Sequence, residues 1–151
     1  FSFGAPALSG ALSVDADPRG IEVRLPVTNT GARAGKEVVQ VYVAPRASAV
    51  PRPVQELKTF AAVHLAPGET REVVLALDAR AFARWSDPDP GLAADLARLG
   101  TSVPWVRPPE PPAPRGWYVD AGAYEVRIAR SSVDIVHVAT IEVAQGFALA
   151  R

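Results

Sequence analysis

Apolar residues recur at every second position through much of the chain, the period of a strand with one buried face. Ile21, Val23, Leu25 and Val27 alternate with Glu22, Arg24, Pro26 and Thr28. Val39, Val41 and Val43 repeat the pattern around Gln40 and Tyr42, as do Val73, Leu75 and Leu77, and then Tyr124, Val126 and Ile128. Leu57 to Leu65 is a further extended run. The last strand, roughly Ile135 to Val143, changes phase: Val136 and Val138 share one parity, Ile141 and Val143 the other. That predicts a bulge near Ala139-Thr140. A short strand near Leu12 to Ala16 brings the expected number to about seven. Turns are expected at Asn29-Thr30-Gly31, at Pro67-Gly68 (a pair suited to a type II turn) and at Asp120-Ala121-Gly122. No long helical period intervenes, so the expected fold is an all-β, immunoglobulin-like antiparallel sandwich.

One segment breaks this rhythm. Ser86 to Gly116 holds eight of the fifteen prolines, too many for a paired strand and far longer than an ordinary sandwich connection. Inside it, Asp89-Pro90 resembles an N-cap followed by proline at the first helical position, Leu92, Leu96 and Leu99 share one face, and Gly100 suits a C-cap. The segment is therefore expected to be an insertion in a single domain spanning 1–151, with a short amphipathic helix and a proline-rich arm from Pro104 to Pro114.

Composition narrows the function. Apolar residues make up 48% of the chain, which favours a packed core over disorder. Sixteen basic residues balance sixteen acidic ones, so there is no basic excess to drive nucleic-acid binding. No apolar run approaches the roughly 20 residues of a membrane span. Cysteine is absent, which excludes disulfides and thiolate chemistry. Arginine outnumbers lysine fourteen to two, read here as genomic bias. The chain starts at Phe1 rather than methionine, so a natural start upstream is expected; the protein is expected to be soluble, with cytoplasm and secretion both open.

The candidates for chemistry are few. Glycoside cleavage needs two carboxylates about 5–10 Å apart; Glu56 with Glu69 and Asp87 with Asp89 are the pairs to consider, and Asp87-Pro88-Asp89 reads more simply as turn and cap chemistry. His64 and His137 are isolated and lack converging metal ligands. Ser131-Ser132 carries no nucleophile-elbow motif, and no glycine-rich phosphate loop is present. No cofactor is expected. Arg52 and Glu56 stand in a proline-punctuated loop at a spacing that suits an ion pair, either loop-stabilising or interdomain. Trp85, Trp105, Trp117 and Tyr118 flank or lie within the insertion; Trp105, Trp117 and Tyr118 are candidates for interface anchoring or sugar stacking.

Several segments in order resemble the C-terminal fibronectin type III-like domain of the family 3 glycoside hydrolases, which include many β-glucosidases and β-xylosidases. They are Val27-Thr28-Asn29-Thr30-Gly31 with Ala34-Gly35, then Glu37-Val38-Val39-Gln40-Val41-Tyr42-Val43, then Arg52-Pro53-Val54-Gln55-Glu56-Leu57-Lys58 with Phe60. Leu65-Ala66-Pro67-Gly68-Glu69-Thr70 and Gly122-Ala123-Tyr124-Glu125-Val126 complete the series, and Phe1-Ser2-Phe3 resembles the entry to such a domain. The resemblance implies a non-catalytic piece of a bacterial enzyme, since the family's catalytic residues sit in upstream domains. Those domains would be its partners, the parent's substrate a β-linked oligosaccharide, and assembly into an oligomer is left open. Arg52, Pro53, Glu56, Leu57 and Lys58 would form an interdomain or structural motif. The other reading is an independent carbohydrate-binding or protein-interaction module.

Overall fold

The computed structural model describes residues 1–12, 20–48, 50–87 and 114–149. Twelve short elements follow in order: β1 (Ser2–Phe3), β2 (Ala7–Gly10), β3 (Ile21–Thr28), β4 (Gly35–Pro45), β5 (Glu56–Leu65), β6 (Thr70–Leu77), α1 (Ala79–Phe82), β7 (Arg84–Ser86), β8 (Gly116–Val119), β9 (Gly122–Ala129), β10 (Ile135–Val143) and β11 (Phe147–Ala148). One sheet has β3 between β6 and the β1/β2 edge; the second runs β10-β9-β4-β5; a small third runs β11-β8-β7. Every pairing is antiparallel. The alternation read from the sequence is the alternation of burial: Ile21, Val23, Leu25 and Val27 from the first sheet meet Val39, Val41, Val43, Val126 and Ile128 from the second in one core.

β1 and β2 act as one edge strand interrupted over Pro26, which has no N–H to offer a neighbour. Gly4 crosses that gap, donating its N–H to the Pro26 carbonyl (2.8 Å). A Cβ on Gly4 would lie 2.5 Å from the proline ring, so the close approach requires glycine. A first strand is expected at Leu12 to Ala16, of which residues 13–16 fall outside the described residues; among the described residues the edge strand is at Ala7–Gly10.

The final strand has the bounds expected, but its bulge is elsewhere. Ala139 and Thr140 pair regularly with Val126 and Glu125, and the register shifts between Ile135 and His137. The extra residue is thus at Val136, which packs against the core while Val138 turns outward, 55% exposed. Parity across a bulge is not preserved, so these two valines do not share a face.

Two polar side chains organise the turns. Asn29, 2% exposed, donates from Nδ2 to the carbonyls of Leu65 (3.0 Å) and Arg33 (2.8 Å) and accepts from the Gly31 N–H (3.0 Å). Its own backbone bonds both ways with the next turn, Asn29 N–H to Glu69 O and Gly68 N–H to Asn29 O. Gly68, at φ +75°, takes the left-handed position that a type II turn requires. Tyr124, 2% exposed, sends its hydroxyl back to the Asp120 carbonyl (3.0 Å), and its ring meets Phe82 edge-on with centroids 5.6 Å apart. A tyrosine tied to backbone a few residues upstream, at the corner entering this strand, is a hallmark of immunoglobulin-like sandwiches.

Candidate functional site

Strand direction gathers the irregular segments at one end of the sandwich. Pro45 pairs with Tyr124, Gly122 with Val143, and Leu77 with Ile21. Loop 46–55, α1, the β7–β8 pair that bears the insertion and the return into β11 therefore cluster where β4, β6 and β10 finish. The turns at the other end are short.

Arg52 is the anchor of this cluster. Its side chain is 6% exposed, and it donates to the Phe82 carbonyl at the close of α1 (3.3 Å) and to Glu56 Oε2 (3.4 Å). Lys58 reaches the same Glu56 oxygen at 3.0 Å. Glu56 is thus held by two cations, and the Arg52 bond to the Phe82 carbonyl ties loop 46–55 to α1. Burial works against the Glu56 charge, yet Lys58 and then Arg52 keep its carboxyl below the usual glutamate range. A carboxyl whose folded pKa is depressed adds stability above its unfolded value, about 4.3, and loses it as pH falls through the folded one. Glu56→Gln should therefore lower the melting temperature near neutrality, with the gap to the parent closing in acid below the usual glutamate pKa; a gap constant with pH would disprove the ion-pair origin.

Lys58 also marks a structural irregularity. Thr59 pairs with Val41 but Leu57 pairs with Tyr42, so Lys58 is an extra residue and β5 carries a bulge. Without it Leu57 would share the inward face of Thr59 and Ala61. With it Leu57 joins Phe60 on the outer face, 48% and 64% exposed. Pro53 and Val54 line a shallow cleft of about 400 Å³ with Arg46, Arg52 and Arg127; these arginines are paired with Glu125 or Glu56.

At the insertion's base, Ser86 pairs with Gly116 and Trp85 with Trp117. The Arg80 guanidinium lies 3.6 Å over the Trp117 ring, and Trp85 meets that ring edge-on at 5.6 Å. Tyr118 packs on Gly146, where a Cβ would come within 2.7 Å of its hydroxyl. Arg84 grips Asp120 with two bonds of 2.6 and 2.8 Å. Trp117 and Tyr118 therefore brace the third sheet, while Trp85 stays 52% exposed. Trp105, Asp89 and the helix expected over Leu92, Leu96 and Leu99 lie outside the described residues. The arginine stacked on Trp117 and the bulge that exposes Leu57 carry no signal in local sequence.

The chemistry candidates separate. Glu56 opens β5 and Glu69 follows its other end, a separation of about 30 Å for a strand of this length, far too wide for a glycosidase pair. Asp87 pairs with Arg115 at 2.9 Å. Among the described residues no group of His, Cys, Asp and Glu could hold a metal ion, and no helix is long and apolar enough to cross a membrane.

Residues 37–93 match the family model of the fibronectin type III-like domain. The chain is 38% identical over 135 residues to a β-glucosidase of Rhizobium radiobacter, covering 89% of this chain and 13% of that protein. It is 35% identical over 119 residues to the exo-α-(1→6)-L-arabinopyranosidase of Bifidobacterium breve, covering 79% and 12%. The crystal structure of the GH3 β-glucosidase of Bifidobacterium adolescentis superposes with a TM-score of 0.66 at 34% identity, over 96% of this chain and 17% of that one. The chain spans about an eighth of the length of these curated relatives. With two antiparallel sheets sharing one core and a tyrosine at the corner, the protein is a fibronectin type III-like domain. It belongs to those of the family 3 glycoside hydrolases.

Proposed function

We propose that this domain is a non-catalytic accessory unit of a bacterial family 3 glycoside hydrolase. It packs on upstream catalytic domains and stabilises them, and the parent acts on β-linked glucosides. The end of the sandwich that carries the insertion faces the active-site rim or a subunit interface. The observation that carries this reading is coverage: nearly the whole chain aligns with one segment of much larger glycosidases. The named site residues fit it too, because Arg52, Glu56, Lys58, Trp117 and Tyr118 are engaged in holding the sandwich together. The domain itself, 1–151 with an insertion over 86–116, is the unit to remove.

In the full-length polypeptide, deleting the domain should shorten the half-life of glycosidase activity at elevated temperature by about tenfold. An unchanged half-life, together with lost binding to insoluble polysaccharide, would favour an independent carbohydrate-binding module instead. Replacing Asp89–Pro114 by a short Gly-Ser turn should leave the isolated domain folded and alter activity, specificity or assembly of the parent.

A further inference from the structure

The outer face of the four-stranded sheet carries an apolar patch that the sandwich does not use. Cross-strand partners share a face, so the rows are given by the register. Leu57, Tyr42, Arg127 and Val138 form one row, and Phe60 stands opposite Gln40 in the next. Leu57, Phe60 and Val138 are 48%, 64% and 55% exposed, with the Tyr42 ring, only 7% exposed, set among them. Exposed aromatic and aliphatic side chains grouped in this way mark interaction surfaces.

The polar groups between them are already satisfied. Arg127 spends its guanidinium on Glu125 (3.0 and 2.9 Å) and Gln55 (2.7 Å), and Gln55 in turn donates to the Ser132 carbonyl (2.7 Å). The Tyr42 hydroxyl donates to Gln40 (2.6 Å), whose amide donates to the Arg130 carbonyl (2.8 Å). A sugar offers hydroxyls that need free partners, and these groups are committed to one another. A protein surface can cover the same groups without breaking their bonds, because the charge of Arg127 is neutralised locally and desolvating a paired group costs far less than an isolated one. The matched glycosidases contain six to eight times as much chain as this domain covers, which supplies such a surface within the same polypeptide.

From these observations we infer that Leu57, displayed by the Lys58 bulge, together with Phe60 and Val138, forms the face on which the catalytic part of the same polypeptide docks. This rests on the accessory-domain reading and assigns it a surface. The docked state buries the two exposed large apolar side chains of β5, Leu57 and Phe60, with Tyr42 as the floor beneath them. The bulge held by Glu56 and Lys58 is then a device for presenting Leu57 outward.

The test is the double variant Leu57→Ser with Phe60→Ser, made in the 151-residue chain and in the full-length polypeptide. In the chain alone the melting temperature should stay within about 3 °C of the parent, since exposed side chains hold little of the core. In the full-length polypeptide, activity should decay about tenfold faster on heating, as expected when anchor residues of an interface are removed. An unchanged decay rate in the full-length variant overturns the assignment; if deletion of the whole domain still accelerates decay, the accessory reading stands and only this face is wrong. A parent chain that is dimeric in light scattering, made monomeric by the double variant, would also overturn it by showing a second copy as the occupant. Val138→Ser supplies an independent variant on another strand, expected to act in the same direction.

Discussion

Asn29→Ala is expected to cost about 3–4 kcal/mol and to lower the melting temperature of the 151-residue chain by roughly 10 °C. The side chain is buried and makes three hydrogen bonds to backbone groups of two turns. Its removal takes the amide donor from the Leu65 and Arg33 carbonyls and the acceptor from the Gly31 N–H, and a buried group left stranded costs more than a bond gained would stabilise. Asn29→Asp sharpens the test. It preserves size and the acceptor toward Gly31, but sets a carboxylate oxygen against two carbonyls, so it should be at least as damaging as alanine. Thermal denaturation followed by circular dichroism reads both; a drop under a few degrees for both variants would show that water replaces the amide.

Arg52→Ala comes next in size, at about 2–3 kcal/mol, or roughly 6–9 °C. A guanidinium this deeply covered donates to a backbone carbonyl and a carboxylate at once, and alanine loses both contacts together with the packing of the aliphatic stem. The cost stops short of a stranded buried charge, because Glu56 keeps Lys58. Arg52→Lys should recover less than half of the loss, since an ammonium lacks the planar fork that reaches two partners. As a control, Arg24→Ala breaks pairs with Glu22 and Glu72 on the exposed surface and should change the melting temperature little. Equal effects at the two arginines would contradict the role given to burial.

What could be read from the sequence follows from how far each feature reaches along the chain. The long strands were legible because a period of two repeats several times within eight to eleven residues. Both bulges were less so. In β10 the change of phase was visible but misplaced, because small Ala139 and Thr140 fit either face, whereas the shift lies at Val136. In β5 it was hidden, because Ala61-Ala62 blurs the alternation that would have exposed it. The strands β7, β8 and β11 are two to four residues long and too short to show a period. At the candidate site, the Arg52–Glu56 pair was legible from spacing and Lys58 from the family motif. The Phe82 carbonyl that completes the Arg52 site lies thirty residues away on the backbone, where side-chain identity carries no trace of it. The same holds for Arg80 over Trp117.

The pairing of Ser86 with Gly116 has a consequence for how such a domain changes over evolutionary time. The two chains leaving the β7–β8 ladder are already side by side, so whatever joins them spans only a strand-to-strand gap. The entropy of closing a connection grows with the logarithm of its length, about 0.6 kcal/mol for each doubling. Residues can be gained, lost or exchanged between those two rungs at almost no thermodynamic penalty to the sandwich beneath. Relatives built on the same ladder are free to diverge there first while the fold is inherited unchanged.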